Sequence, residues 1–182
     1  MKKEILILLF LPMVGFGKQT FVPDDNFEAY LESNGMGNGI PNDEYVLNSN
    51  ISMVTSLDVS NQNIIDLTGI ESFYSLEYLY CYSNQLTSID ITQNIFLEEL
   101  ACNDNNLSSL DVTQNIFLNY LDCTTNNLSS LNVTQNDSLS ALYCSNNQLT
   151  NLDISNNVFL EGLNCANNLL SSIDVSQNIY LH

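Results

Sequence analysis

Positive charge is almost missing from this chain. Its 182 residues hold three lysines (Lys2, Lys3 and Lys18), no arginine and a single histidine, His182, against 21 acidic residues, for a formal net charge of −18. Nucleic-acid recognition relies on Lys and Arg to displace counterions from phosphates, so that function class is excluded. An anionic membrane surface repels such a chain for the same reason. With no histidine in the body of the chain, no hydroxyl or thiol nucleophile has an imidazole base, and no glycine-rich phosphate loop occurs. Adjacent carboxylates such as Glu98 and Glu99 are expected to point to opposite faces of a strand, the wrong geometry for joint acid–base work. The chain therefore reads as a non-enzyme without a cofactor.

Long apolar runs are missing too. The run from Ile5 to Phe16 is shorter than the roughly 20 residues that an ordinary transmembrane helix needs. Preceded by Lys2 and Lys3 and closed by Gly15 and Gly17, it has the charged start, short apolar middle and small-residue end of a secretory signal peptide, residues 1–17. Export is the expectation, to the medium or the cell surface, with no membrane insertion after cleavage. Cleavage would remove two lysines and Glu4, leaving 20 acidic residues against Lys18 and a net charge of −19. Such charge favours colloidal solubility and weak nonspecific association.

Cysteine is scarce but regularly placed. Cys81, Cys102, Cys123, Cys144 and Cys165 are separated by 21 residues at every step, a period within the 20–29 residues of leucine-rich repeats. The frame recurs around them, as in LEYLYCYSNQLTSIDITQNIF (76–96) and LEELACNDNNLSSLDVTQNIF (97–117), with further copies from Leu118, Leu139 and Leu160. Each copy carries L-x-x-L-x-C-x-x-N-x-L. Leu79 and Cys81 alternate with outward positions, as a strand with one buried face requires, and equivalent strands can stack about 4.8 Å apart in a parallel sheet. Asn84, Asn105, Asn126, Asn147 and Asn168 fall where the chain turns, each amide able to satisfy backbone groups that no regular ladder reaches. Ile89 and Ile91 flank Asp90, and Leu110 and Val112 flank Asp111, predicting a short extended return segment with outward acids. Equivalent cysteines on adjacent rungs would lie nearer the strand spacing of about 4.8 Å than the roughly 3.8 Å Cβ separation of a disulfide. They are expected to form a buried ladder of free thiols. Being in a line, they cannot converge on zinc, and no metal site is predicted.

A solenoid exposes its core at each end, so the first and last repeats need caps. In PDDNFEAYLESN (23–34), Asp24 or Asp25 can serve as N-cap, Phe27, Tyr30 and Leu31 have helical spacing, and Gly35 is a stop, predicting a capping helix. Residues 34–46 read as a loop, in which Asp43 and Glu44 offer oxygen ligands but lack the alternating acids of a calcium loop. The domain layout is therefore a signal peptide (1–17), an N-terminal cap (18–50), irregular first repeats (51–75) and five 21-residue repeats (76–182). No C-terminal cap is visible: Leu181 falls in phase with Leu160 and Leu139, which favours a piece of a longer polypeptide.

The cap FVPDDNFEAYL, the stretch SLDVSNQNIIDLTGIESFYSLEYL and the cysteine-bearing repeats resemble internalin-type leucine-rich-repeat proteins. The similarity is greatest to their cysteine-ladder subtype and to surface repeats common in Bacteroidetes-like bacteria. The resemblance implies a curved leucine-rich-repeat solenoid with a parallel β-sheet on the concave face, a mostly irregular or short extended return side, and a short N-terminal helical cap. It also implies adhesins and binding modules rather than enzymes, with ligands on the concave sheet. No wall-anchoring motif or immunoglobulin-like domain accompanies it here.

The outward strand positions are Tyr78, Tyr80 and Tyr82; Glu99, Ala101 and Asn103; Tyr120, Asp122 and Thr124; Ala141, Tyr143 and Ser145; and Gly162, Asn164 and Ala166. Tyrosine offers a large rigid surface with a polar tip and is enriched at interfaces. Tyr78, Tyr80, Tyr82, Glu99, Tyr120, Asp122 and Tyr143 are thus the candidate ligand-binding residues; the alternative is that the tyrosines only cover the sheet. A protein ligand, basic in charge, fits this strip; carbohydrate stacking on Tyr80 or Tyr120 and a structural spacer role are the other readings. A second outward row, Asp90, Asp111, Asp153 and Asp174 with Asn132 between them, raises weak divalent-cation binding as a further expectation.

Overall fold

The computed structural model describes residues 17–182. The expected signal peptide, apart from Gly17, lies outside the described residues. Within them no helix is long and apolar enough to cross a membrane.

The N-terminal cap is built on Asp24. Its Oδ1 accepts from the N–H groups of Asn26 (3.0 Å) and Phe27 (2.9 Å), starting helix α1 (Asp25–Ser33). Its Oδ2 accepts from Ile65 N–H (2.8 Å) and Asp66 N–H (3.1 Å), tying that helix to the first rung. Phe27 and Leu31 are fully buried, and Phe27 stacks on Phe73 at 6.4 Å between ring centroids. Tyr30, at the same helical spacing, is only partly buried. The chain leaves the helix through Gly35 at φ 74°, where a side chain would be strained.

The cap also holds a pairing that the sequence did not predict. Strand β1 (Gln19–Phe21) runs antiparallel to β2 (Tyr45–Leu47), with Thr20 opposite Val46, so the segment read as loop ends in a strand at Tyr45. A three-residue strand shows no period of its own, and these two, unlike the strands of the repeats, have no recurring copies to reveal them. The loop before β2 is secured by helix carboxylates: Glu28 Oε1 accepts from Asp43 N–H (3.0 Å) and Glu32 from the N–H groups of Asn38 and Gly39. Asp43, considered as a calcium ligand, instead accepts from Asn38 Nδ2 (2.9 Å) and Tyr45 N–H (3.0 Å).

A single helical turn, α2 (Asn48–Ile51), leads into the solenoid, whose sheet has six parallel strands in sequence order: β3 (Ser56–Asp58), β4 (Tyr78–Tyr80), β5 (Glu99–Ala101), β6 (Tyr120–Asp122), β7 (Ala141–Tyr143) and β8 (Gly162–Asn164). The register is in phase throughout, with Leu57, Leu79, Leu100, Leu121, Leu142 and Leu163 as consecutive partners. The first of the irregular repeats therefore already supplies a strand. The return side is irregular, with one parallel bridge, Asp111 to Asn132, where a recurring extended segment was expected.

One continuous apolar core fills the coil. Leu97, Leu100, Cys102, Leu107 and Val112 are fully buried, as are their counterparts in the following rung. In the final rung, Leu163, Cys165, Leu170 and Ile173 are only partly buried and Leu169 is 66% exposed. The five thiols are free. Burial pushes those of Cys81 and Cys144 up to about 12 and those of Cys102 and Cys123 well above their ordinary value of 9.0, so they pack as small uncharged apolar groups.

Two asparagine ladders bind rung to rung. Asn126 Nδ2 donates to the carbonyls of Cys102 (3.0 Å) and Cys123 (3.2 Å), while its Oδ1 accepts from Leu107 N–H (2.9 Å). Asn105, Asn147 and Asn168 repeat this set one rung apart, and Asn84 makes its equivalent with the first rung. A second ladder, absent from the sequence reading, comprises Asn94, Asn115, Asn136, Asn157 and Asn178. Asn136 Nδ2 donates to the carbonyls of Val112 (3.0 Å) and Asn115 (2.8 Å), and the others do likewise. Their Oδ1 atoms are buried without a hydrogen-bond partner.

Removing one rung of the first ladder leaves buried backbone groups orphaned, each at about 1–3 kcal/mol. Asn126→Ala is expected to lower stability by about 2–4 kcal/mol, read as a fall in urea midpoint, with exposed Asn127→Ala within about 0.5 kcal/mol of wild type. The thiols give an independent check. Iodoacetamide should modify Cys165 in the native protein and all five cysteines in denaturant. Because the buried thiols keep their protons in the fold but lose them from the unfolded chain above about pH 9, stability should fall as pH rises from 9 towards 12. A urea midpoint that stays level across that window would contradict this assignment.

Candidate functional site

The sheet presents two outward rows. In register, the first runs Ser56, Tyr78, Glu99, Tyr120, Ala141, Gly162, and the second Asp58, Tyr80, Ala101, Asp122, Tyr143, Asn164. All seven predicted site residues are partly buried; six of them lie in these rows, and Tyr82 follows the end of β4. Alternation along the strands places them: the inward partner at each step is a Leu of the core.

The structure brings five of the seven together. Tyr80, Tyr82, Glu99, Tyr120 and Asp122, with Ala101 and Asn103, line one hollow of about 330 Å³. Ala101 sits between Tyr80 and Asp122 in its row and is only 7% exposed, so it forms the floor. Tyr143 stands outside the hollow, packed edge-on against Tyr120 with ring centroids 5.8 Å apart. Tyr78 is also outside, its hydroxyl donating to Glu98 Oε2 at 3.2 Å. Two sequence expectations change here. Ala101 and Ser145, read as outward surface, are buried by their neighbours. Glu98 and Glu99, expected on opposite faces, both reach tyrosine hydroxyls of the preceding rung, because Glu98 precedes the strand and escapes its alternation.

These carboxylates shape the electrostatics of the face. Tyr80 Oη donates to Glu99 Oε2 at 2.7 Å, and that bond, with burial and the charge of Glu99, pushes its hydroxyl up to about 12. The hydrogen bond and charge of Glu98 raise Tyr78, while burial and then Asp122 raise Tyr120. All three hydroxyls therefore stay protonated and act as donors at neutral pH. Asp122 Oδ1 accepts from Thr124 N–H (2.9 Å), which fixes that carboxylate at the edge of the hollow.

The return-side acids have a local role. Asp111 Oδ1 accepts from Thr113 N–H (2.9 Å) and Oγ1 (2.7 Å), and Asp90 and Asp153 make the same turn with Thr92 and Ser155. Those hydrogen bonds hold Asp90, Asp111, Asp153 and Asp174 below the usual carboxylate range. Asn132 makes the identical pair of contacts with Thr134, so the position requires an acceptor rather than a charge. No group of three metal-ligating side chains occurs among the described residues. Asp111→Asn should therefore leave the melting temperature nearly unchanged, whereas Asp111→Ala should cost about 1 kcal/mol of stability in urea unfolding.

Sequence reasoning also passed over apolar pairs at the end of four of the five repeats: Ile95 and Phe96, Ile116 and Phe117, Val158 and Phe159, Ile179 and Tyr180, each about two-fifths or more exposed. The rings of Phe96 and Phe117 stack at 6.5 Å. Their 21-residue recurrence was legible; their exposure was not, since apolar residues in a repeat read as core.

No family model matches the chain. Over 72 residues, which are 40% of this chain and 8% of the relative, it is 38% identical to internalin J of Listeria monocytogenes. Its fold matches the functional domain of internalin J from that organism, a domain that includes a cysteine ladder, with a TM-score of 0.60 and 32% identity over 91% of this chain and 46% of the other. An internalin (InlF) of Listeria monocytogenes matches with a TM-score of 0.81 and 20% identity, over 89% of this chain and 49% of that one. A leucine-rich-repeat protein of Leptospira interrogans matches at 0.67 and 23%, over 74% and 37%. The chain spans less than half the length of each of these relatives. In fold and in the repeat that carries its row of cysteines, the chain is similar to internalin-type leucine-rich-repeat proteins.

Proposed function

We propose that this chain is a bacterial binding module, secreted or displayed at the cell surface with residues 1–17 as its export signal, which captures a protein partner on the outward face of its sheet. The observation that carries this reading is the convergence of Tyr80, Tyr82, Tyr120, Glu99 and Asp122 around one hollow. Rigid aromatic area beside hydrogen-bonding groups is the composition of interface hot spots. Similarity to internalins supports a surface-protein role, and the excess of acid favours a basic partner through long-range steering.

The test is capture from a protein array and a glycan array at low and physiological salt, with wild type and Tyr80→Ala/Tyr120→Ala. Salt-sensitive capture of basic proteins, weakened at least tenfold by the double substitution, is expected. Salt-insensitive glycan binding lost in the same variant would replace this reading with carbohydrate recognition. Silence on both arrays would leave the chain as a spacer.

A further inference from the structure

The hollow has a shape and chemistry more specific than an acidic interface. Its floor is Ala101, the one small residue in the row between Tyr80 and Asp122, and two strand spacings of about 4.8 Å separate those flanking positions. Along the other row Glu99 stands between Tyr78 and Tyr120. The gap is therefore a slot with tyrosine rings on its sides and carboxylates at its rim. Glu99 uses Oε2 for Tyr80, and Asp122 uses Oδ1 for Thr124 N–H, so each binds the protein through one oxygen and keeps the other for a ligand.

We infer that this slot seats a single arginine side chain of the protein partner, its guanidinium lying against the tyrosine rings above Ala101 and donating to Glu99 and Asp122. The inference rests on the sheet face being the binding surface. A flat, weakly hydrated, always charged group fits aromatic walls and carboxylate oxygens together, because guanidinium stacks on rings and donates in a planar fork. An ammonium satisfies the charge but presents no flat face to the rings, and an uncharged sugar can donate to the carboxylates but leaves their charge uncompensated. Complementarity extends beyond the slot, since Asp58 stands next to Tyr80 in its row and Glu98 lies at Tyr78. The chain itself contains no arginine to occupy it.

The test compares tetra-arginine and tetra-lysine peptides, equal in charge, binding to the full chain, followed by tyrosine fluorescence, which no tryptophan obscures. Tetra-arginine should bind about five- to tenfold more tightly. Ala101→Phe, which fills the slot without changing charge, should abolish that preference by bringing tetra-arginine affinity down to that of tetra-lysine. Asp122→Asn keeps an acceptor for Thr124 N–H, so the turn is preserved, and should weaken tetra-arginine binding about tenfold; it reads the slot even if the larger substitution disturbs the sheet. Equal affinities for the two peptides, or a preference that survives Ala101→Phe in a folded protein, would overturn the arginine seat. If array capture still depends on Tyr80 and Tyr120 in that case, the binding-module reading stands and the seat alone fails. If neither depends on the face, both fail.

Discussion

Every turn of this coil leaves backbone N–H and C=O groups at its corners that no strand ladder reaches, and the fold depends on asparagines that reach back to them. Asn126 illustrates the constraint: one amide closes a carbonyl of its own rung, a carbonyl of the rung before and an N–H of that same preceding rung. A shorter side chain would not span the gap, and an aspartate would present only acceptors to two carbonyls. The requirement recurs every 21 residues, and the leucines and cysteines are held in phase by it. The second ladder at Asn94 to Asn178 acts at the opposite corner and leaves five buried carbonyl oxygens without donors.

With the backbone fixed so tightly, the positions that face out of the sheet are left free to differ in size and charge from rung to rung. The same rigidity gives the tyrosine and carboxylate groups a defined spacing, because each row is a stack of in-register strands rather than a mobile loop. Binding groups on rigid elements lose little freedom when a ligand arrives. The turn acids show the converse: Asp111 and Asn132 make the same contacts in successive rungs, because only an oxygen acceptor is asked of them.

Much of this was legible in the sequence. The 21-residue recurrence gave the coil, the inward Leu and Cys, the first asparagine ladder and the outward tyrosines, since successive side chains of a strand point to opposite faces. What escaped lies where that alternation stops. Glu98 sits one residue before its strand and turns to Tyr78; β1 and β2 are short and recur nowhere else in the chain; and Asp24, one side chain serving both a helix start and the first rung, reflects a contact 41 residues away that no local pattern encodes. The second ladder was visible as an asparagine in every copy, but a polar residue near a turn reads as surface until its partners are seen. Ala101 escaped for a related reason: its importance lies in the space it leaves between larger neighbours.

Each asparagine reaches back one rung and no further, so every rung needs only an acceptable neighbour on either side. Gain or loss of 21 residues would restore the same contacts across the seam, and the groups on the sheet face would move apart or together by one strand spacing, about 4.8 Å. Distance along the sheet face is thus counted in whole steps. A lineage of such proteins can alter the reach of its surface by changing the number of rungs and its chemistry by changing single outward letters, with neither change disturbing the other.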